Sequence, residues 1–278
     1  MTDIDSLWEF NDPALSEGRF REALANCATA LDAAEVRTQI ARTLGLRGRF
    51  DDAAHELDRA EALIGDGASR AKTRLLLERG RCLNSGGNPN AAIPFFESAV
   101  ETAAECGEPG LEIDAIHMLA IADSVHALEW NLKGIEMAEA SPDPRAKKWR
   151  ASLYNNTGWT YFDSGDPSTA LEYFERAVPL REAMGDKGNL NVAKWCVART
   201  LRELGHASDA LSIVSVLIEN DPDDTFNNQE YALCLVAVGR ASEAAPFAEK
   251  ALGKLREDAW MKANRSEVLE ALETASRG

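Results

Sequence analysis

Apolar and polar positions along this chain follow a helical period, and the small residues among them recur at fixed distances from a glycine. Five residues after Gly18, Gly48, Gly87, Gly165, Gly205 and Gly239 stand Ala23, Ala53, Ala92, Ala170, Ala210 and Ala244. Seven residues before the glycine come Asn11, Ala41, Gly80, Gly158, Ala198 and Ala232; four before it come Ala14, Leu44, Leu83, Tyr161, Leu201 and Leu235. Offsets of seven and four put a small and a larger side chain on one helical face, and offsets of plus five, nine and twelve do the same on a second helix. Glycine between them supplies the tight turn. The spacing therefore predicts a series of antiparallel helix pairs.

Between Gly87 and Gly165 the interval doubles to 78 residues, and Leu111, Ala115, Met118, Ala122, Ala127 and Gly134 fit the same offsets with Ala122 at the turn. Seven units are expected, near residues 4–33, 34–69, 73–106, 108–143, 151–187, 191–222 and 225–257, in one continuous array over 1–264. Residues 265–278 read as an amphipathic capping helix and tail covering the apolar end of the last unit. Pro94 and Pro246 are expected in first helical turns, whereas Pro179, late in a helix, should bend or end it.

Leu153, Gly158, Tyr161, Gly165, Pro167, Ala170, Phe174 and Ala177 form the clearest copy, and with the joint recurrence over roughly Ile4 to Leu255 the chain resembles the tetratricopeptide repeat family. The resemblance implies an all-α fold, a right-handed α-solenoid of about seven helix pairs with a C-terminal capping helix, acting as a protein-binding scaffold. Intervals of 39 and 40 residues exceed the family's usual 34 and imply longer helices or loops, such as residues 183–189. The lysine-and-asparagine clamp by which some members grip a carboxylate is not reproduced. Asn156 falls at one clamp position, but Glu112, Ile116, Val192 and Cys196 occupy the flanking ones.

The formal charge of −16 argues against nucleic acid as partner. No run of about 18 apolar residues is present, and the acidic N-terminus lacks the pattern of a signal peptide, so no membrane partner and a cytoplasmic location are expected. Five scattered cysteines contain no Cys-x-x-Cys pair, and no phosphate loop, nucleophile elbow or metal-binding histidine motif occurs. Paired carboxylates at Asp51–Asp52 and 221–224 sit at expected helix starts, where capping explains them. No catalytic residue, metal or cofactor is expected, and an enzyme is not.

On the inner face of such an array, the position six before the turn glycine carries Asp12, Arg42, Arg81, Trp159, Arg199 and Leu233, and Trp8 and Glu9 stand at ten and nine before the first glycine. Nearby inward positions add Arg74, Asn155, Asn156, Trp195 and Arg202. Arginine offers a rigid fork of donors to carboxylate, tryptophan apolar area, and asparagine both donor and acceptor to a peptide backbone. Arg42, Arg81, Trp159 and Arg199, with these five nearby residues, are the candidate peptide-binding site, and the expected function is a non-enzymatic adaptor for an extended, acidic or carboxylate-bearing peptide. Two internal alternatives remain: Arg42, Arg81 and Arg199 pairing with Glu35, Glu78 and Glu203, and Trp195 packing between helices. Two other functions also remain: self-assembly through Trp130, Trp149 or Trp260, and a regulator sensing a small molecule or peptide, with His117 and Asp114 contributing.

Overall fold

The computed structural model describes residues 4–277, so residues 1–3 of the expected array and residue 278 of its tail lie outside the described residues. The fold is all-α, with no strand among the described residues. Two compact units divide the chain, Met1–Leu153 and Tyr154–Gly278.

The first unit opens with a 3-10 turn (Ile4–Leu7), followed by α1 (Pro13–Leu24), α2 (Ala30–Gly45), α3 (Phe50–Glu61), α4 (Arg70–Ser85), α5 (Pro89–Cys106), α6 (Pro109–Ala122), α7 (Ala127–Ala140) and the single turn α8 (Pro144–Lys147). The second unit takes most of α9 (Arg150–Asp163), then α10 (Pro167–Met184), α11 (Lys187–Glu203), α12 (Ala207–Asn220), α13 (Thr225–Ala237), α14 (Ala241–Leu255), the short α15 (Ala259–Asn264) and α16 (Ser266–Ser276).

Five of the six motif glycines make the turn within a pair. Gly48, Gly87, Gly165, Gly205 and Gly239 have φ of 71, 85, 86, 84 and 79°, a left-handed conformation open to glycine at little cost. The N–H of the residue after each glycine reaches back to the carbonyl four before it. These bonds run from Arg49 to Leu44 at 3.0 Å, Asn88 to Leu83 at 2.9 Å, Asp166 to Tyr161 at 2.9 Å, His206 to Leu201 at 2.8 Å and Arg240 to Leu235 at 2.8 Å. The position four before the glycine thus fills the core with its side chain and closes the helix with its carbonyl.

Gly18 departs from the pattern. Asp12 caps the Leu15 N–H at 2.9 Å and Pro13 pre-sets the first helical residue, so α1 starts early and runs through Gly18. The first repeat consequently supplies one α-helix, and Trp8, Glu9 and Asp12 precede it instead of lining an inner helix.

The small residue seven before the turn has a direct cause. A Cβ added to Gly80 would lie 2.4 Å from the Phe96 ring, and one added to Gly158 would lie 2.5 Å from that of Phe174. Both rings stand nine residues after the turn glycine and are fully buried. Where the socket residue is alanine, as at Ala41 and Ala198, the facing residue shrinks to Leu57 and Val214, as close packing requires. The 39-residue interval from Gly48 to Gly87 arises in the connection over 62–69 between α3 and α4, and the 40-residue interval from Gly165 to Gly205 in the 18-residue α10.

Pro94, Pro179 and Pro246 all lie inside helices, on exposed positions. Pro94 and Pro246 stand in second turns, not first ones. Pro179 does not end α10, which continues to Met184. The carbonyl it orphans belongs to exposed Glu175, where water can satisfy it. At the far end, α16 packs Val268, Leu272 and Ala275 onto Ala248, Leu252 and Leu255 of α14.

Candidate functional site

In the first unit the candidate arginines lie on α2 and α4, and acids of neighbouring helices meet them. Arg81 donates to Glu78 on its own helix and to Asp114 of α6, both almost fully buried. Burial by itself would depress the Arg81 guanidinium, but the two carboxylates hold it above its ordinary value. Asp114 is driven the opposite way: burial raises it, and Arg81 and Arg42 more than reverse that. Arg42 lies 3.5 Å from Glu78. Arg74 meets Glu35 at 2.8 Å and Asp5 at 2.6 Å. The structure therefore gives Arg42, Arg74 and Arg81 carboxylate partners within the chain, partly as the internal-pairing alternative anticipated.

In the second unit the other six candidates lie on α9 and α11. Asn155 accepts from the Cys196 thiol at 3.6 Å, and Asn156 is on the same helix turn. The Trp159 and Trp195 rings are 6.2 Å apart, and the Trp195 indole donates to the Phe226 carbonyl at 2.9 Å. Arg202 is held by the fully buried Glu230 of α13, its Nη2 lying 3.3 Å from Glu230 Oε2, and by Glu203 at 3.1 Å.

Arg199 is different. It is 7% exposed and its Nε, like those of Arg42 and Arg74, is buried without a hydrogen-bond partner, but unlike them it has no carboxylate within ion-pair distance among the described residues. Its guanidinium carbon instead lies 5.2 Å from the Phe162 ring centroid, 5.5 Å from Trp195 and 5.8 Å from Trp159. Burial pushes the group below its ordinary value, Glu230 offsets part of this, and Arg265 and Arg202 push it down further.

A cavity of about 410 Å³ opens onto Arg199, between α11, α13 and α16. Arg202 and Arg265 also line it, with Phe162, Leu233 and Val268 as apolar wall. Its acidic members are Glu203 and Glu267. Arg265 is engaged by Asp163 at 2.8 Å. What the arrangement can do is complete the coordination of one buried cation with an incoming carboxylate, beside two tilted indole rings.

The positions of these arginines were readable from the repeat, and Glu78 was singled out as a partner of Arg81, but Asp114, Asp5 and Glu230 were not singled out as partners. Glu78 and Glu230 both stand nine residues before a turn glycine, where the helix of the following repeat can face an arginine of the preceding one. That recurrence was the available signal. Phe162, like Arg202, stands three before a turn glycine, whereas Arg265 and Asp5 carried no comparable signal.

Of the tryptophans considered for self-assembly, Trp260 is exposed, whereas the Trp130 indole donates to Asp123 at 3.2 Å and Trp149 lies 5.1 Å from the His117 ring. Among the described residues no group of three His, Cys, Asp or Glu could hold a metal, and no helix is long and apolar enough to cross a membrane.

The family profile described as tetratricopeptide repeat matches residues 150–185. Among solved structures, the chain resembles a signal-transduction ATPase with a tetratricopeptide-repeat sensor from Pyrococcus horikoshii, at 15% identity and TM-score 0.70, over 96% of this chain and 44% of that one. The chain thus spans less than half the length of that protein. It also resembles the apo quorum sensor NprR from B. thuringiensis, at 17% identity and TM-score 0.66, over 99% of this chain and 78% of that one. With NprR in complex with its cognate peptide NprX, the figures are 14%, 0.56, 98% and 80%. No curated protein matches the sequence.

Proposed function

We propose that this chain, whose residues 150–185 match the tetratricopeptide-repeat profile, is a non-enzymatic adaptor that captures an extended peptide through a carboxylate seated on Arg199. One observation carries the reading. Of three arginines at the same place in the second, third and sixth repeats, Arg42 and Arg81 have acids of their own and Arg199 has none among the described residues. A buried guanidinium without a counter-ion is costly, so the site favours a ligand that brings one. Trp159 and Trp195 add apolar area for the residues beside that carboxylate, and Asn155 and Asn156 add polar groups for a backbone. The peptide-bound state of NprR, whose fold is similar, agrees with this kind of ligand.

Glu230 explains why Arg199 stays open. Its carboxylate acts on both Arg199 and Arg202 through space but hydrogen-bonds Arg202. Arg202 is therefore a positioning residue, holding the acid that would otherwise neutralise Arg199.

The test is a peptide array graded in acidic content, each member made with a free and an amidated C-terminus. Wild type should retain carboxylate-bearing members, and Arg199→Gln should retain them about ten- to a hundredfold less, as loss of a charge-assisted hydrogen bond implies. Arg202→Gln should weaken capture too, by releasing Glu230 to Arg199. Equal retention by wild type and Arg199→Gln, or no preference for carboxylates, overturns the reading.

A further inference from the structure

In the first unit a carboxylate and two aromatic rings lie on the face of α2 and α4 that bears Arg42 and Arg74, and all three belong to the chain's own N-terminal segment. Asp5 accepts from Arg74 at 2.6 Å and from Arg70 at 3.3 Å. Three residues on, the Trp8 indole donates to Gln39 of α2 at 3.0 Å. Phe10 stacks on Trp8 with centroids 4.7 Å apart and planes 2° from parallel, and the Arg42 guanidinium lies 5.5 Å from the Trp8 ring and 5.8 Å from that of Phe10.

We infer that this face of α2 and α4 is a recognition surface for an acidic–aromatic peptide, occupied in cis by residues 5–10 and open to a partner segment of the same pattern. That pattern is an aspartate with tryptophan three and phenylalanine five residues after it.

Two features distinguish this from a plain end cap. A cap covers the outermost helix with apolar side chains, whereas Asp5 bypasses α1 and α2 to reach two arginines of α4. Asp5 and Phe10 also keep 46% and 61% exposure in contact with their arginines, so the segment is seated on the face and not sunk into the core. Other contacts also hold the segment, among them the Trp8 ring edge-on to Phe20 at 5.1 Å. Ser16 bonds the Glu9 backbone at 2.7 and 3.0 Å, and Arg19 reaches the Leu7 carbonyl at 3.4 Å. Ile4, Leu7 and Trp8 add apolar contact with the core around Phe20 and Ile40. A tethered segment competes at the millimolar effective concentration typical of short linkers, so a partner peptide binds measurably only as the cis segment yields.

The experiment uses the full chain and a fluorescein-labelled peptide of residues 4–11, acetylated and amidated at its ends. Asp5→Ala/Trp8→Ala should bind it at least tenfold tighter than wild type, and adding Arg74→Gln to that variant should abolish the gain. Should the double variant fail to give a wild-type circular dichroism spectrum, Asp5→Asn alone, which leaves Trp8 packed, should still raise affinity several-fold. No gain in a folded variant, or a gain that persists with Arg74→Gln, overturns the inference and leaves the segment a cap. Neither outcome involves Arg199, so capture in the second unit is judged separately.

Discussion

Replacing Arg81 and Arg199 in turn by methionine separates a saturated guanidinium from an open one, since both stand six residues before a turn glycine. Methionine keeps much of the chain length and removes the charge. Loss of Arg81 removes the cation hydrogen-bonded to both Glu78 and Asp114, 2% and 5% exposed, and leaves them the more distant Arg42. Breaking a buried pair from one side costs about 3–5 kcal/mol. At ~2–4 °C per kcal/mol for a chain of this size, the melting temperature should fall by about 6–20 °C. Loss of Arg199 strands no carboxylate. The desolvation it relieves opposes the loss of contact with three rings, each contributing about 0.5–2 kcal/mol. The net change should stay within roughly 1 kcal/mol of zero. Thermal and urea denaturation followed by circular dichroism give both numbers. Destabilisation by Arg199→Met as large as that by Arg81→Met would mean that Arg199 already has an acid, and the vacancy on which the peptide site depends would be gone.

Gly158→Ala drives a Cβ into the Phe174 ring and should destabilise by about 1–3 kcal/mol. Gly18→Ala, inside α1 with nothing within 4 Å, should stabilise by about 0.5–1 kcal/mol, and melting curves of the two variants should move in opposite directions. Burial raises the Asp114 carboxyl but Arg81 and Arg42 leave it below its ordinary value, so its stabilising contribution is present above the unfolded value near 3.8 and is lost as pH falls through the lower folded value. Asp114→Asn should flatten the acid limb of stability against pH below about pH 4, measured by urea titration at each pH. Burial pushes the Cys196 and Cys234 thiols up to about 12, so at pH 8 iodoacetamide should label them only as the chain unfolds, as peptide mass mapping over a urea series can show.

The helix pairs were legible because their causes are local. A left-handed glycine, a carbonyl four residues earlier and a small residue opposite a buried ring are all fixed by distance along the chain. Gly18 misled because its spacing matched while Asp12 and Pro13 began the helix ahead of it. The inner arginines were legible as positions, but whether each is open depends on acids from other helices. The Arg81–Glu78 pair was anticipated, and Glu230 recurs at the same offset as Glu78, so its pairing with an arginine was legible too. That Glu230 bonds Arg202 in preference to Arg199 is a matter of three-dimensional reach. Residues 4–10 have no repeat period, and nothing in their order announces that Asp5 meets α4.

The glycine sockets at Gly80 and Gly158 have a bearing on how such a chain can be rearranged. Phe96 fits its neighbour only because residue 80 lacks a side chain, and Phe174 depends on residue 158 in the same way. A graft that moved α4 or α9 without the helix that follows would set glycine opposite leucine or valine and leave a hole. One that moved α5 or α10 without the helix before would press a ring against a methyl group. Hybrids should be cut in the loops between pairs, so that lock and key travel together.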